Sequence, residues 1–308
     1  MSQRTLRTVF LGTPETAVPT LRALNAISEV ALVVTRPDRP RGRSGTPAPP
    51  PVKVAARELG LAVAQPANHR ELVDTLNTVA PVDVGVVTAF GMLLPPEALA
   101  TPARGIVNVH FSLLPRWRGA SPVVAAISAG DPKTGVSLMQ MDEGLDTGPV
   151  IATSSTPIRP DETGQELSGR LARLGAELLS QHLADYVDGN IEPVSQSTSA
   201  ATYAPQIKPA DRILDINLQP QVAVNKIRAL ADKPGAILAI DGRAHLILAA
   251  RPLNRTLPTG QIIIEDGEVL VGTGGGALML LMIQPPGRRP MAAAAWARGL
   301  RVLPHRVG

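Results

Sequence analysis

The chain has 308 residues, with 30 Lys and Arg against 26 Asp and Glu, no cysteine, and seven aromatic side chains. That length is near two ordinary domains, and a hydrophobic fraction of 44% with 18% charged residues excludes a disordered chain. Zero cysteine excludes a disulfide scaffold, a Cys-ligated zinc site and an iron–sulfur protein, and no apolar run approaches the ~20 residues of a membrane span.

The opening MSQRTLRTVFLGTPE passes from a charged lead into a strand too brief for a signal-peptide core, so a cytoplasmic protein is expected. The first strand, Thr8–Leu11, ends at Gly12-Thr13-Pro14, and residues 16–26 place apolar positions at helical spacing. A dinucleotide cradle is not expected at this turn, because G-x-G-x-x-G is absent and the next glycine is Gly42. Further strands are predicted at Val30–Val34, Val82–Val87, Ile106–His110 and Val136–Met141. Near-continuous apolar strands alternating with helices predict a parallel sheet covered on both faces, a doubly wound, Rossmann-like α/β domain over residues 1–189. Its last helix spans 163–188, with Leu167, Leu171, Leu174 and Leu178 on one face.

Residues 190–209, rich in Ser, Thr and Pro, have no sustained period and read as a linker. Beyond them a helix is predicted at 220–231 and short strands at 245–250, 261–265, 268–272 and 277–283. Glu265-Asp266-Gly267-Glu268 is a hairpin signal. A small antiparallel β-barrel of OB-like type over 210–308 is the expected second domain.

The modest net charge of +4 is unevenly placed. Residues 1–202 hold 17 basic and 19 acidic side chains, whereas residues 203–308 hold 13 and 7. A basic second domain fits a polyanionic partner, since Lys and Arg gain affinity by releasing phosphate counterions; a merely solubilising surface is the alternative. A second basic segment is the Pro-rich loop 35–51, with Arg36, Arg39, Arg41 and Arg43 against one acid, Asp38, within 36–43. A surface linker is the alternative there.

Strand alternation puts Asn108 and His110 on one face at the carboxyl end of their strand, with Val109 and Phe111 on the other. Two polar groups at that end of a parallel strand lie where α/β sheets bind ligands. A satisfied buried histidine is the bland alternative. Asp146, in the glycine-containing loop DEGLDTGP (142–149), is expected at a neighbouring strand end, fixing the tautomer of the imidazole. Asn, His and Asp without a Ser or Cys nucleophile suit acyl transfer in which the substrate itself attacks. The remaining histidines, 69, 182, 245 and 305, lack ligand spacing, so no metal is expected.

The ordered run N-V-H-F-S-L-L-P-R-W-R-G-A-S-P (108–122), followed by M-D-E-G-L-D-T-G-P (141–149), resembles the signature of formyltransferases that use 10-formyltetrahydrofolate. V-F-L-G-T-P-E (9–15), T-R-P-D-R-P-R-G-R (35–43) and Q-P-P-G-R-R-P-M (284–291) extend the resemblance from about residue 8 to about residue 301. It implies formyl transfer from 10-formyltetrahydrofolate to the α-amine of methionine on initiator tRNA, a step of translation initiation carried out by a monomer. Asn108, His110 and Asp146 match the family's catalytic triad. Ser112, Leu113, Leu114 and Pro115 match its folate-contacting loop, and Phe90 and Gly91 stand where it packs the pterin. The arginines at 36, 39, 41 and 43 match an insertion that approaches the tRNA acceptor stem. Alternatives are a relative acting on an amino-sugar nucleotide and an RNA-binding protein with a relic α/β domain. A barrel poor in aromatics is expected to hold tRNA by backbone charge and shape, leaving base reading to the arginine loop.

Overall fold

Apolar runs long enough for a strand and too short for a helix recur through the first half of the chain, and they build one sheet. The computed structural model describes residues 5–40, 45, 47–231, 233–300, 302, 304 and 306–308. In chain order come β1 (Arg7–Gly12), α1 (Val18–Ile27), β2 (Glu29–Val34), the short hairpin β3 (Arg39–Pro40) and β4 (Pro47–Ala48), α2 (Pro51–Glu58), β5 (Val63–Ala64) and α3 (His69–Asn77). Then follow β6 (Val84–Thr88), α4 (Pro96–Ala100), β7 (Ile106–His110), α5 (Pro122–Ser128), β8 (Lys133–Gln140), β9 (Val150–Pro157) and α6 (Gly164–Val187). Proline in the first turn of α1, α2, α4 and α5 sits where its missing N–H has no helical partner to lose.

The sheet order is β5-β2-β1-β6-β7-β8-β9. β1 pairs in parallel with β2 and β6, and β6 in parallel with β7, so the strand order reverses between β1 and β6. This is a switch point, outside whose carboxyl ends a ligand crevice forms. Val9, Phe10 and Leu11 of the central β1 are fully buried, as a strand covered on both faces requires.

The doubly wound sheet is mixed, its parallel pairing giving way at β8. This strand runs antiparallel to β7, with His110 opposite Ser137 and Val107 opposite Gln140. A parallel return needs a crossover helix packed back on the same sheet. The seven-residue α5 does not provide one, because residues 120–133 group with the second of two compact units. One unit takes residues up to 119, 134–156 and 168–203; the other takes 120–133, 157–167 and 204 onward.

In the second unit, α5 packs on α7 (Pro220–Leu230), and α7 on an antiparallel sheet. Its strands are β10 (Ala236–Ile240), β11 (Arg243–Leu253), β12 (Ile262–Glu265), β13 (Glu268–Thr273), β14 (Gly276–Gln284) and β15 (Met291–Ala292), followed by α8 (Ala293–Arg298). They run in the order β10-β11-β14-β13-β12, with β15 on β14. β10 was not legible as a strand. The hairpin at 265–268 forms as expected, with Asp266 and Gly267 at φ of 50° and 80°, the mirror-image turn that matches strand twist. Residues 306–308 join the two edges of this sheet. Asp241 N–H donates to Arg306 O and Gly308 N–H to Ala239 O on the β10 side, while Val307 N–H donates to Gly260 O beside β12. Leu238, Ile247, Val269, Val271, Leu278 and Ile283 fill the space inside. Among the described residues no helix is long and apolar enough to cross a membrane.

Candidate active site

Period-two alternation along β7 buries Val109 and presents Asn108 and His110 together. Val109 and Phe111 face α6, where a Cβ on Gly175 would stand 2.6 Å from Val109 and 3.7 Å from Phe111. Phe111 therefore packs away from the polar pair, as alternation predicts. It also lies outside the positive-φ region.

Asp146 reaches this pair by a route that strand spacing does not reveal. Because β8 is antiparallel, its carboxyl end lies at the amino end of β7, and Met141 N–H donates to Ile106 O at 2.8 Å. The expectation of a neighbouring strand end is thus corrected: loop 141–149 folds back along β7. The Asp142 carboxylate holds that return, accepting from Gly144 N–H at 3.1 Å and Thr147 Oγ1 at 2.7 Å. Gly148 passes so close to Gln140 that a Cβ there would lie 1.8 Å from the Gln140 carbonyl oxygen.

The Asp146 carboxylate accepts from Asn108 Nδ2 at 3.1 Å and from Gly119 N–H at 2.7 Å. His110 Nδ1 faces its second oxygen at 3.7 Å, with both side chains nearly buried. That gap is too long for a hydrogen bond, so the carboxylate does not fix the tautomer as expected. The Trp117 carbonyl does, standing 2.9 Å from His110 Nε2. A carbonyl only accepts, so Nε2 carries hydrogen and the exchangeable position is Nδ1, beside the carboxylate. Asn108 keeps one amide N–H free of the Asp146 bond. Ala89, Trp117 and Asp146 have φ of 47°, 60° and 53°, so three of the five described non-glycine residues with positive φ lie in the loops of this site.

Six of the remaining candidates line two cavities. Phe90 and Gly91, after β6, line a cavity of about 350 Å³ with Thr13, Arg36 and Arg39, at the switch-point crevice. Arg36 Nη1 is buried there without a hydrogen-bond partner. Leu114 and Pro115 line a different cavity of about 330 Å³ with residues 150–153 and 194–197. Ser112 is fully buried, its hydroxyl donating to the Arg116 carbonyl at 2.6 Å, so it shapes the loop instead of facing a cavity.

In the described part of the arginine loop β3 pairs antiparallel with β4, with Arg39 opposite Ala48. Its base is held by Asp38, which accepts from Lys53 through both oxygens at 2.8 Å and from Gln65 at 2.7 Å. The Lys53 hydrogen bonds, then that of Gln65, hold the Asp38 carboxyl below its ordinary value of 3.8. Arg41 and Arg43 lie outside the described residues.

Two contributors escaped sequence reasoning. Gln196 donates to the carbonyls of Asp146 and Gly148 and accepts from the Arg118 guanidinium, which is only 3% exposed. Gln196 falls in the aperiodic 190–209 stretch, which carries no local signal of contact. Among the described residues no group of three or more His, Asp or Glu is arranged to hold a metal ion.

Residues 6–183 match the formyl transferase family model, and residues 206–301 match the model of the formyl transferase C-terminal domain. The chain belongs to the formyl transferase family. This formyltransferase is 43% identical to the methionyl-tRNA formyltransferase of Heliobacterium modesticaldum, over 97% of this chain and 98% of that relative. It is 44% identical to the methionyl-tRNA formyltransferase of Halorhodospira halophila, over 97% of each. Among solved structures, the N-formyltransferase from Helicobacter canadensis in complex with folinic acid and dTDP-3-aminofucose has a TM-score of 0.69 at 17% identity, covering 92% of this chain and all of that one. HypX from Aquifex aeolicus in complex with tetrahydrofolic acid has a TM-score of 0.66 at 18% identity, covering 95% of this chain and 47% of that one. At such identities the likeness is one of fold.

Proposed function

We propose that this formyltransferase moves the formyl group of 10-formyltetrahydrofolate to the α-amine of methionyl initiator tRNA, the step that prepares the tRNA for translation initiation. The observation that carries the chemistry is the convergence of Asn108, His110 and Asp146 with no nucleophile of the enzyme's own. The chain has no cysteine, and the Ser112 hydroxyl is committed to a carbonyl. The full-length relatives support tRNA over an amino sugar as the acceptor.

The neutral amine attacks the formyl carbon, and a new C–N bond forms as the carbonyl oxygen gains charge. The free N–H of Asn108 donates to that oxygen, a contribution of typically ~2.7–4 kcal/mol for a positioned donor. His110 takes the amine proton at Nδ1, where the Asp146 carboxylate stabilises the imidazolium. Collapse breaks the bond to the folate nitrogen, His110 returns the proton to it, and tetrahydrofolate leaves. The Trp117 carbonyl keeps the ring in one orientation throughout, so proton uptake and return occur on the same nitrogen.

In this reading the pterin lies against Phe90 and Gly91, and Leu113, Leu114 and Pro115, shaped by Ser112, wall the donor's path. A pocket of about 350 Å³ falls in the usual range for small-molecule sites. Residues 1–189 carry the chemistry, and 210–308 hold the tRNA by their basic surface. The arginines at 36, 39, 41 and 43 meet the acceptor stem.

Incubation with 10-formyltetrahydrofolate and either methionyl initiator tRNA or an amino-sugar nucleotide tests the reading. Formyl-methionyl-tRNA is the expected product, and transfer only to the sugar overturns the acceptor. Near-wild-type transfer by Asn108→Ala, His110→Ala and Asp146→Ala would overturn the site.

A further inference from the structure

A cavity of about 840 Å³ opens in the second unit, lined by His245 of β11 and Trp296 of α8 together with Arg243 and Arg288. Trp296 is the one aromatic residue after Tyr203. Its ring meets His245 edge to face, with centroids 5.5 Å apart and planes at 66°. His245 is 6% exposed, and its Nδ1 lies 2.8 Å from the Arg243 carbonyl, so Nδ1 carries the hydrogen. Nε2 is then an acceptor with no partner among the described residues, in a side chain more than nine-tenths buried. Arg243 and Arg288 stand at the rim, exposed, their guanidinium groups without ion pair or hydrogen bond among the described residues. Among the described lining residues the one acid, Asp241, accepts from Arg306 N–H at 3.1 Å.

A half-buried tryptophan, an accepting imidazole nitrogen and two cations with no partner among the described residues, all lining one cavity, match a flat ring with an N–H edge and an attached phosphate. We propose that this cavity receives one unpaired nucleotide of the RNA substrate, its base stacked on Trp296 with an edge N–H donated to His245 Nε2, and its phosphates against Arg243 and Arg288. The proposal rests on the reading that the acceptor is a tRNA. On this proposal the second unit adds one stacking side chain to the backbone charge expected to hold the tRNA.

The full-length protein is titrated with a labelled single-stranded oligoadenylate and with an oligomer of the same length whose riboses lack bases. Wild type is expected to bind the adenylate roughly tenfold more tightly. Trp296→Leu removes that difference and leaves abasic binding unchanged, Trp296→Phe restores most of it, and Arg288→Gln weakens both oligomers. In formyl transfer, Trp296→Leu raises the KM for tRNA, with kcat and the KM for folate unchanged. Equal binding of the two oligomers by wild type, or binding of neither, overturns the proposal. Should Trp296→Leu fail to fold, the wild-type preference and the Arg288→Gln losses decide it. Loss of formyl transfer with the base preference intact would instead indict the acceptor reading.

Discussion

Gln196 donates from one side-chain amide to the carbonyl oxygens of Asp146, at 2.9 Å, and of Gly148, at 2.7 Å. Its own oxygen accepts from Arg118 Nε at 3.0 Å and Nη2 at 2.8 Å. The loop that carries the carboxylate is therefore anchored from fifty residues away.

Gln196→Leu removes both donors and leaves a buried guanidinium unpaired. We expect kcat for formyl transfer to fall roughly tenfold, the scale of one or two lost positioning hydrogen bonds. Faster amide exchange across 142–149 should accompany the loss. Gln196→Glu keeps an acceptor for Arg118 but no donor for the carbonyls, so it restores folding and not rate. Steady-state kinetics with exchange measured by mass spectrometry checks both outcomes.

Asn108→Ala removes a donor to the developing oxyanion and a partner of Asp146. Its kcat should fall by roughly 10²–10³, with the KM for tRNA little changed. Asp146→Asn keeps the size of the side chain but loses the charge that faces His110, and should be as severe. Single-turnover rates with formyl donor in excess read the chemical step directly.

Gly148→Ala places a Cβ against backbone that cannot swing aside. A destabilisation of about 2 kcal/mol is expected, with a fall of several degrees in Tm and loss of transfer as Asp146 is displaced. Gly169→Ala, in α6, is the contrasting case, because its Cβ would meet nothing within 4 Å. That change should stabilise the chain by about 0.5–1 kcal/mol and leave transfer intact. Calorimetry of the two variants separates close approach from helix propensity.

The Asp38 carboxyl is held below 3.8 by Lys53 and Gln65. Its contribution is therefore fully present above that value and is lost as pH falls through the lower, folded one. Protease sensitivity of the 36–48 hairpin should stay constant from neutral pH down to roughly pH 4 and rise below it. Asp38→Asn should show the acid behaviour at neutral pH, with a raised KM for tRNA and for folate, since Arg36 and Arg39 also line the Phe90 cavity.

Much of the site was legible because it follows from a local rule. A strand repeats every two residues, so Asn108 and His110 had to share a face and Phe111 had to leave it, whatever the strand paired with. The Asp266-Gly267 turn was legible for the same reason, since backbone conformation at two residues decides it. The hydrogen-bond partner of His110 was not, because Trp117 presents its carbonyl only once the loop has turned through a positive φ.

By itself the sequence determined five strands of the first sheet, the two-part division of charge, and the pair of polar groups at the end of β7. Each depends on composition or on spacing within a few residues. Tertiary structure alone decided the reversed β8, the return of Asp146 along β7, the Gln196 anchor, and the joining of the second sheet's edges by residues 306–308. These are pairings between distant segments, selected by which buried donors and acceptors remain to be satisfied after the local elements have formed.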